Sequence, residues 1–106
     1  MIPEFARRNR FKHALTSAVE PRIGLFLGLG DPGVAEWLGD TAFDWLLLDG
    51  EHGLGDLRTV LLQLRALQGS ASDVLVRVVD HDAARIKQGL DIGVQTLLVP
   101  MVKSAA

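Results

Sequence analysis

The sequence predicts an α/β fold on a four-stranded parallel sheet, organised as the first half of an eight-stranded (β/α)8 barrel with an extra helix in front. Three observations carry that reading. Helical and strand patterns alternate from end to end with short connections, and such alternation builds βαβ units with parallel strands. The runs Trp45-Leu46-Leu47-Leu48 and Val74-Leu75-Val76-Arg77-Val78-Val79 are apolar without a polar face, Arg77 apart, as strands buried on both sides are. A complete barrel needs about 250 residues, so four β/α units in 106 residues make close to half of one, and the sequence stops at a strand without its covering helix. An open four-stranded sheet is the competing architecture. No repeat, low-complexity tract or internal boundary divides the chain, so residues 1–106 read as one partial barrel domain.

Each element has its own signal. Phe11, Ala14, Leu15 and Ala18 fall at helical spacing and predict a first helix with one apolar stripe, ended by Pro21. Ile23-Gly24-Leu25-Phe26-Leu27-Gly28 predicts the first strand. Asp31 then supplies an N-cap and Pro32 a first-turn residue, and Val34, Ala35 and Leu38 continue that helix. The second strand is Trp45 to Leu48. Leu57, Val60, Leu61, Leu64 and Leu67 form a strongly amphipathic helix capped by Asp56 and stopped at Gly69-Ser70. The third strand, Val74 to Val79, is rich in β-branched residues. Asp82 caps a helix running to Gly93, Thr96 to Pro100 predicts the fourth strand, and Lys103 to Ala106 reads as the start of another helix.

Composition narrows the function classes. A formal charge of −2, 48% hydrophobic residues and no cysteine suit a packed domain without disulfides or thiolate chemistry. The near-neutral balance leaves no electrostatic footprint for nucleic acid, and Arg7, Arg8, Arg10 and Lys12 read as a solvated helix face. No apolar stretch reaches the roughly 18 to 20 residues of a membrane span. No apolar segment follows the N-terminal basic residues as in a secretory signal, so the cytoplasm is the expected compartment.

Candidate chemistry gathers where the second strand ends, at Asp49-Gly50-Glu51-His52-Gly53. Two carboxylates and an imidazole meet there, and in parallel sheets ligands bind at the carboxyl ends of strands. A solvated loop is the plain alternative. Arg77 stands alone in an aliphatic strand, on the face of Leu75 and Val79. It either blocks pairing at an exposed edge or points inward beside Asp49 and His52 as an anion site. Gly28-Leu29-Gly30-Asp31-Pro32-Gly33 matches a dinucleotide fingerprint, but Asp31 puts negative charge where the pyrophosphate would sit and Pro32 removes an amide donor. His13 and His81 read as surface histidines.

The segments Arg22-Ile23-Gly24-Leu25-Phe26-Leu27-Gly28-Leu29, Phe43-Asp44-Trp45-Leu46-Leu47-Leu48-Asp49-Gly50-Glu51-His52 and Asp91-Ile92-Gly93-Val94-Gln95-Thr96-Leu97-Leu98-Val99-Pro100-Met101-Val102, with Val76-Arg77-Val78 between the last two, resemble the HpcH/HpaI aldolase family. The likeness runs from about Phe11 to the end. It is nearest to aldolases of 4-hydroxy-2-oxoheptanedioate and of 2-keto-3-deoxy-sugar acids.

The resemblance implies a class II pyruvate aldolase that reversibly cleaves a 4-hydroxy-2-oxo acid to pyruvate and an aldehyde. Its cofactor would be a divalent metal ion, Mg2+, Mn2+ or Co2+, that chelates the oxo acid. By position, His52 matches the family's acid/base, Asp49 its orienting aspartate and Arg77 the arginine at the pyruvate oxo oxygen. These roles suit the groups: imidazole titrates near neutral pH, a carboxylate fixes its tautomer, and guanidinium carries permanent charge. Glu51 matches a supporting position near the metal-bound water. Phe26 stands where the family often has tryptophan beside the substrate. Asp91 matches an aspartate that recognises the aldehyde half from a neighbouring subunit, which implies a homo-oligomer. The family's metal-ligating glutamate and aspartate are expected after Ala106, so no metal ligand is expected in this chain and the 106 residues alone are expected to be inactive. A noncatalytic assembly module and a dinucleotide-binding domain are the competing readings.

Overall fold

The computed structural model describes residues 8–17, 19–50 and 56–105. The elements follow the predicted order: α1 (Arg10–Ser17), β1 (Gly24–Leu27), α2 (Pro32–Leu38), β2 (Trp45–Asp49), α3 (Leu57–Ala66), β3 (Asp73–Arg77), α4 (Ala83–Asp91) and β4 (Leu97–Leu98). All strand pairs are parallel, in the order β1-β2-β3-β4. No helix among the described residues is long and apolar enough to cross a membrane.

The predicted caps do close the helices. Asp31 accepts from the Gly33 and Val34 amides, Asp56 from Thr59 and Asp82 from Ala84. These bonds satisfy amides that a helix start leaves without partners. The Thr59 amide and hydroxyl hold the Asp56 carboxyl below its ordinary value. That capping contribution is therefore present above the ordinary carboxylate pKa and fades as pH falls through the lowered one.

Strand alternation sorts the sheet into two faces. Leu25, Leu27, Leu46, Leu48, Val74 and Val76 face the helices, and Leu27, Leu46, Leu48 and Val76 join Ala35, Val60, Leu67 and Val94 in the core. Burying each such leucine stabilises the fold by about 1.5–3 kcal/mol. Phe26, Trp45, Leu47, Asp49, Leu75 and Arg77 share the opposite face, in register across β1, β2 and β3. In a closed barrel that face points inward.

Four expectations need correction. The first helix carries no buried residue, and Leu15 is exposed. Polar bonds dock it instead: Asn9 Nδ2 donates to the Gln95 carbonyl and Thr96 Oγ1 at 3.1 Å each, and Arg10 Nε meets Asp73 Oδ1 at 3.0 Å. Ala18, the last residue of the predicted stripe, lies outside the described residues. The third strand starts one residue earlier, at Asp73, whose carboxylate is held by Arg10 and Arg22, and ends at Arg77 instead of Val79. The fourth strand is only Leu97–Leu98, because Pro100 has no amide to extend the ladder. Residues 103–105 are not helical.

The inward face has consequences for association. Phe26 is 48% and Leu98 40% exposed, and β1 and β4 are the sheet's outer strands. Unpaired strand edges beside apolar surface favour pairing with another chain. The 106-residue chain is expected to self-associate, with a sedimentation coefficient that rises with concentration. A folded monomer across the whole range would contradict this.

Candidate active site

The carboxyl ends of β2 and β3 bring Asp49 and Arg77 opposite one another in register. Arg77 Nε donates to Asp49 Oδ1 at 3.0 Å and Arg77 Nη2 to Asp49 Oδ2 at 2.6 Å, a bidentate fork in which both hydrogen bonds are charge-assisted. The Asp49 side chain is 8% exposed and that of Arg77 20%, so the pair is largely withdrawn from water. The alternative of an edge arginine is removed, because β3 pairs with β2 on one side and β4 on the other.

Local sequence explains how the pair is aimed. The Gly50 amide donates to the Arg77 carbonyl at 2.8 Å, adding a rung beyond Asp49. A Cβ at Gly50 would stand 2.7 Å from that same oxygen, so the close approach needs glycine. On the other flank, Arg77 Cζ lies 5.4 Å from the centroid of the Phe26 ring. Phe26 in turn meets Trp45 edge-on, with centroids 6.1 Å apart at 65°.

The predicted site residues thus divide. Asp49, Arg77 and Phe26 come together. Glu51 and His52, three residues beyond Asp49 at the furthest, lie outside the described residues. Asp91 is exposed at the C-terminal end of α4, which returns the chain toward the start of β4, so this chain does not bring its own Asp91 to the strand ends that carry Asp49 and Arg77. His13 and His81 are exposed, as expected. At the glycine-rich corner, Asp31 takes the Gly33 amide at 2.7 Å and the Val34 amide at 3.3 Å, so the donors a pyrophosphate would use are already engaged.

Sequence reasoning missed two features. Trp45 reads as one more apolar strand residue, and only the register, which sets it opposite Gly24, reveals it under Phe26. A cleft of about 290 Å³ behind Arg77, between α3 and α4, is lined in part by Arg85 and Gln88, neither of which carries a motif.

The divalent cation implied by the family resemblance does not fit these donors. Among the described residues no three His, Cys, Asp or Glu side chains are grouped to hold one. Asp49, the carboxylate at the strand ends, gives both oxygens to Arg77.

Comparison with known proteins identifies the family and the fold. Residues 22–106 match the family model described as HpcH/HpaI aldolase/citrate lyase. The chain is 58% identical over 98 residues to a hydroxypyruvate/pyruvate aldolase of Pseudomonas aeruginosa, covering 92% of this chain and 36% of that protein. It is 50% identical over 98 residues to a 4-hydroxy-2-oxo-heptane-1,7-dioate aldolase of Salmonella dublin, covering 92% of this chain and 37% of that one. A crystal structure of an HpcH/HpaI aldolase/citrate lyase family protein from Burkholderia cenocepacia J2315 superimposes with a TM-score of 0.87 at 37% identity, over 92% of this chain and 38% of that one. The four-stranded unit is therefore a partial barrel, and the chain spans a little over a third of the length of these relatives.

Proposed function

Because this chain belongs to the HpcH/HpaI aldolase/citrate lyase family, we propose that it carries the acid/base and oxyanion-binding part of a pyruvate aldolase acting on 4-hydroxy-2-oxo acids. The observation that supports this most directly is the bidentate Asp49–Arg77 pair at adjacent strand ends. In the cleavage direction His52 takes the proton of the C4 hydroxyl, the C3–C4 bond breaks to leave an aldehyde, and the electron pair moves into the oxo group as an enolate. Arg77 holds the enolate oxygen as its charge grows, where a fixed cation stabilises it most. Proton return to C3 then gives pyruvate.

Asp49 acts first by anchoring one edge of the guanidinium at the strand ends. The family resemblance gives it a second task, setting the tautomer of His52. Phe26 forms the pocket wall beside Arg77. Glu51, next to His52 in sequence, supports the site, and Asp91 joins it from a second copy in a homo-oligomer. The described residues do not cage a cation, so no step here is routed through one. The proposed setting is the cytoplasm.

The test is a chimera in which residues 22–106 replace the matching segment of the Salmonella dublin relative, assayed for pyruvate release from 4-hydroxy-2-oxo-heptane-1,7-dioate. Activity is expected, and a folded but inactive chimera would overturn the reading. In the active chimera, Arg77→Lys is expected to lower kcat/KM by roughly ten- to a hundredfold, because lysine keeps the charge but loses the planar fork. Unchanged kinetics would return Arg77 to a purely structural role.

A further inference from the structure

Asp49 alone does not fix Arg77. Two parallel hydrogen bonds hold the guanidinium edge against the carboxylate, but a fork of this kind by itself resists tilt about the line joining Oδ1 and Oδ2 only weakly. The Phe26 ring, 5.4 Å from Cζ, opposes that tilt from one side by a cation–π contact. Phe26 is itself half exposed, on an outer strand. What steadies it is the edge-on contact with Trp45. Trp45 can lie in that place because its register partner is Gly24, where an added Cβ would fall 1.9 Å from the indole Cδ2.

We propose that Trp45, seated over Gly24, is a positioning residue for Arg77 that acts through Phe26. The four residues form a stack rising along the inward face from the start of β1 to the carboxyl end of β3, and the stack sets the angle at which the fork meets an oxo-acid oxygen. This rests on the reading of Arg77 as the cation that holds that oxygen. The guanidinium carries five N–H donors in one fixed plane. Their direction changes with any tilt of the plane, so an aromatic support below the guanidinium acts on binding geometry without touching the ligand.

The experiment follows the Arg77 Nε–H signal in proton–nitrogen NMR spectra of the 106-residue chain, identified by its loss in Arg77→Lys, and measures its exchange with water. Phe26→Leu and Trp45→Leu are each expected to speed that exchange by about three- to tenfold, the factor that a lost cation–π contact implies. Phe26→Trp and Trp45→Phe, which keep a ring in each place, should restore most of the protection. Because Phe26 is half exposed, Phe26→Leu should leave the urea midpoint nearly unchanged, which separates positioning from a merely structural role. If Trp45→Leu does not fold, Trp45→Met fills more of the space without a ring and takes its place. Exchange equal to the parent in the folded ringless variants would overturn the proposal. So would an equal loss of protection in Trp45→Phe and Trp45→Leu. An inactive chimera would instead overturn the aldolase reading and leave this comparison intact.

Discussion

His52→Ala in the active chimera is expected to lower the rate of pyruvate release about 10²- to 10⁴-fold, the usual cost of removing a general acid/base. The expectation rests on the match of His52 to the family's acid/base and on its sequence position three residues after Asp49, whose carboxylate is anchored at the strand end. Pyruvate binding should be nearly unchanged, because in this reading the imidazole meets the C4 hydroxyl, which pyruvate lacks. The check is steady-state kinetics on the 4-hydroxy-2-oxo acid beside inhibition by pyruvate. Turnover near that of the parent would remove His52 from the mechanism. The same assay on the 106-residue chain, with saturating Mg2+, Mn2+ or Co2+, is expected to give no rate above its own His52→Ala background, since the family resemblance places the metal-ligating carboxylates after Ala106.

Asp49→Asn is expected to cost about 3 kcal/mol of stability, because it takes the carboxylate out of a mostly buried, charge-assisted fork. The lower end of the range applies, as the Arg77 side chain keeps 20% exposure. Urea unfolding of the 106-residue chain measures it. The double variant Asp49→Asn with Arg77→Met should recover most of the lost stability, since an uncharged pair carries no unpaired charge. In the chimera that same double variant should stay inactive. Recovery of stability without recovery of activity would separate the pair's chemical role from its packing. A single Asp49→Asn variant as stable as the parent would show that the fork is not a buried ion pair in solution.

Much of this arrangement was legible in advance because it is written in local signals. Asp31, Asp56 and Asp82 mark helix starts through their own side-chain bonds, and Pro32 marks a first turn, all within a few residues of sequence. The apolar run Trp45 to Leu48 announced a strand covered by helices. The first helix was legible in position but not in its contacts, since its stripe of Phe11, Ala14 and Leu15 carries no buried residue. Asn9 and Arg10 dock it through groups more than sixty residues away in sequence, such as Thr96 and Asp73, and spacing along the helix cannot show that. The fourth strand is shorter than the run Thr96 to Pro100 predicts, because Pro100 cannot donate to the ladder.

The sequence by itself determined the order of the elements, the parallel sense of the sheet, the family likeness and the short list of reactive groups. Each of these depends on neighbours along the chain or on a motif of contiguous residues. Only the tertiary structure decided where Arg77 lies and what it touches. Its place one rung across from Asp49, over the Phe26 ring and clear of any sheet edge, follows from the register of β1, β2 and β3. Slipping one strand by a single residue would send its side chains to the opposite face. Register is set jointly by the leucines packed on the helical side and by the close approaches at Gly24 and Gly50, so the geometry of the site is a property of the whole sheet.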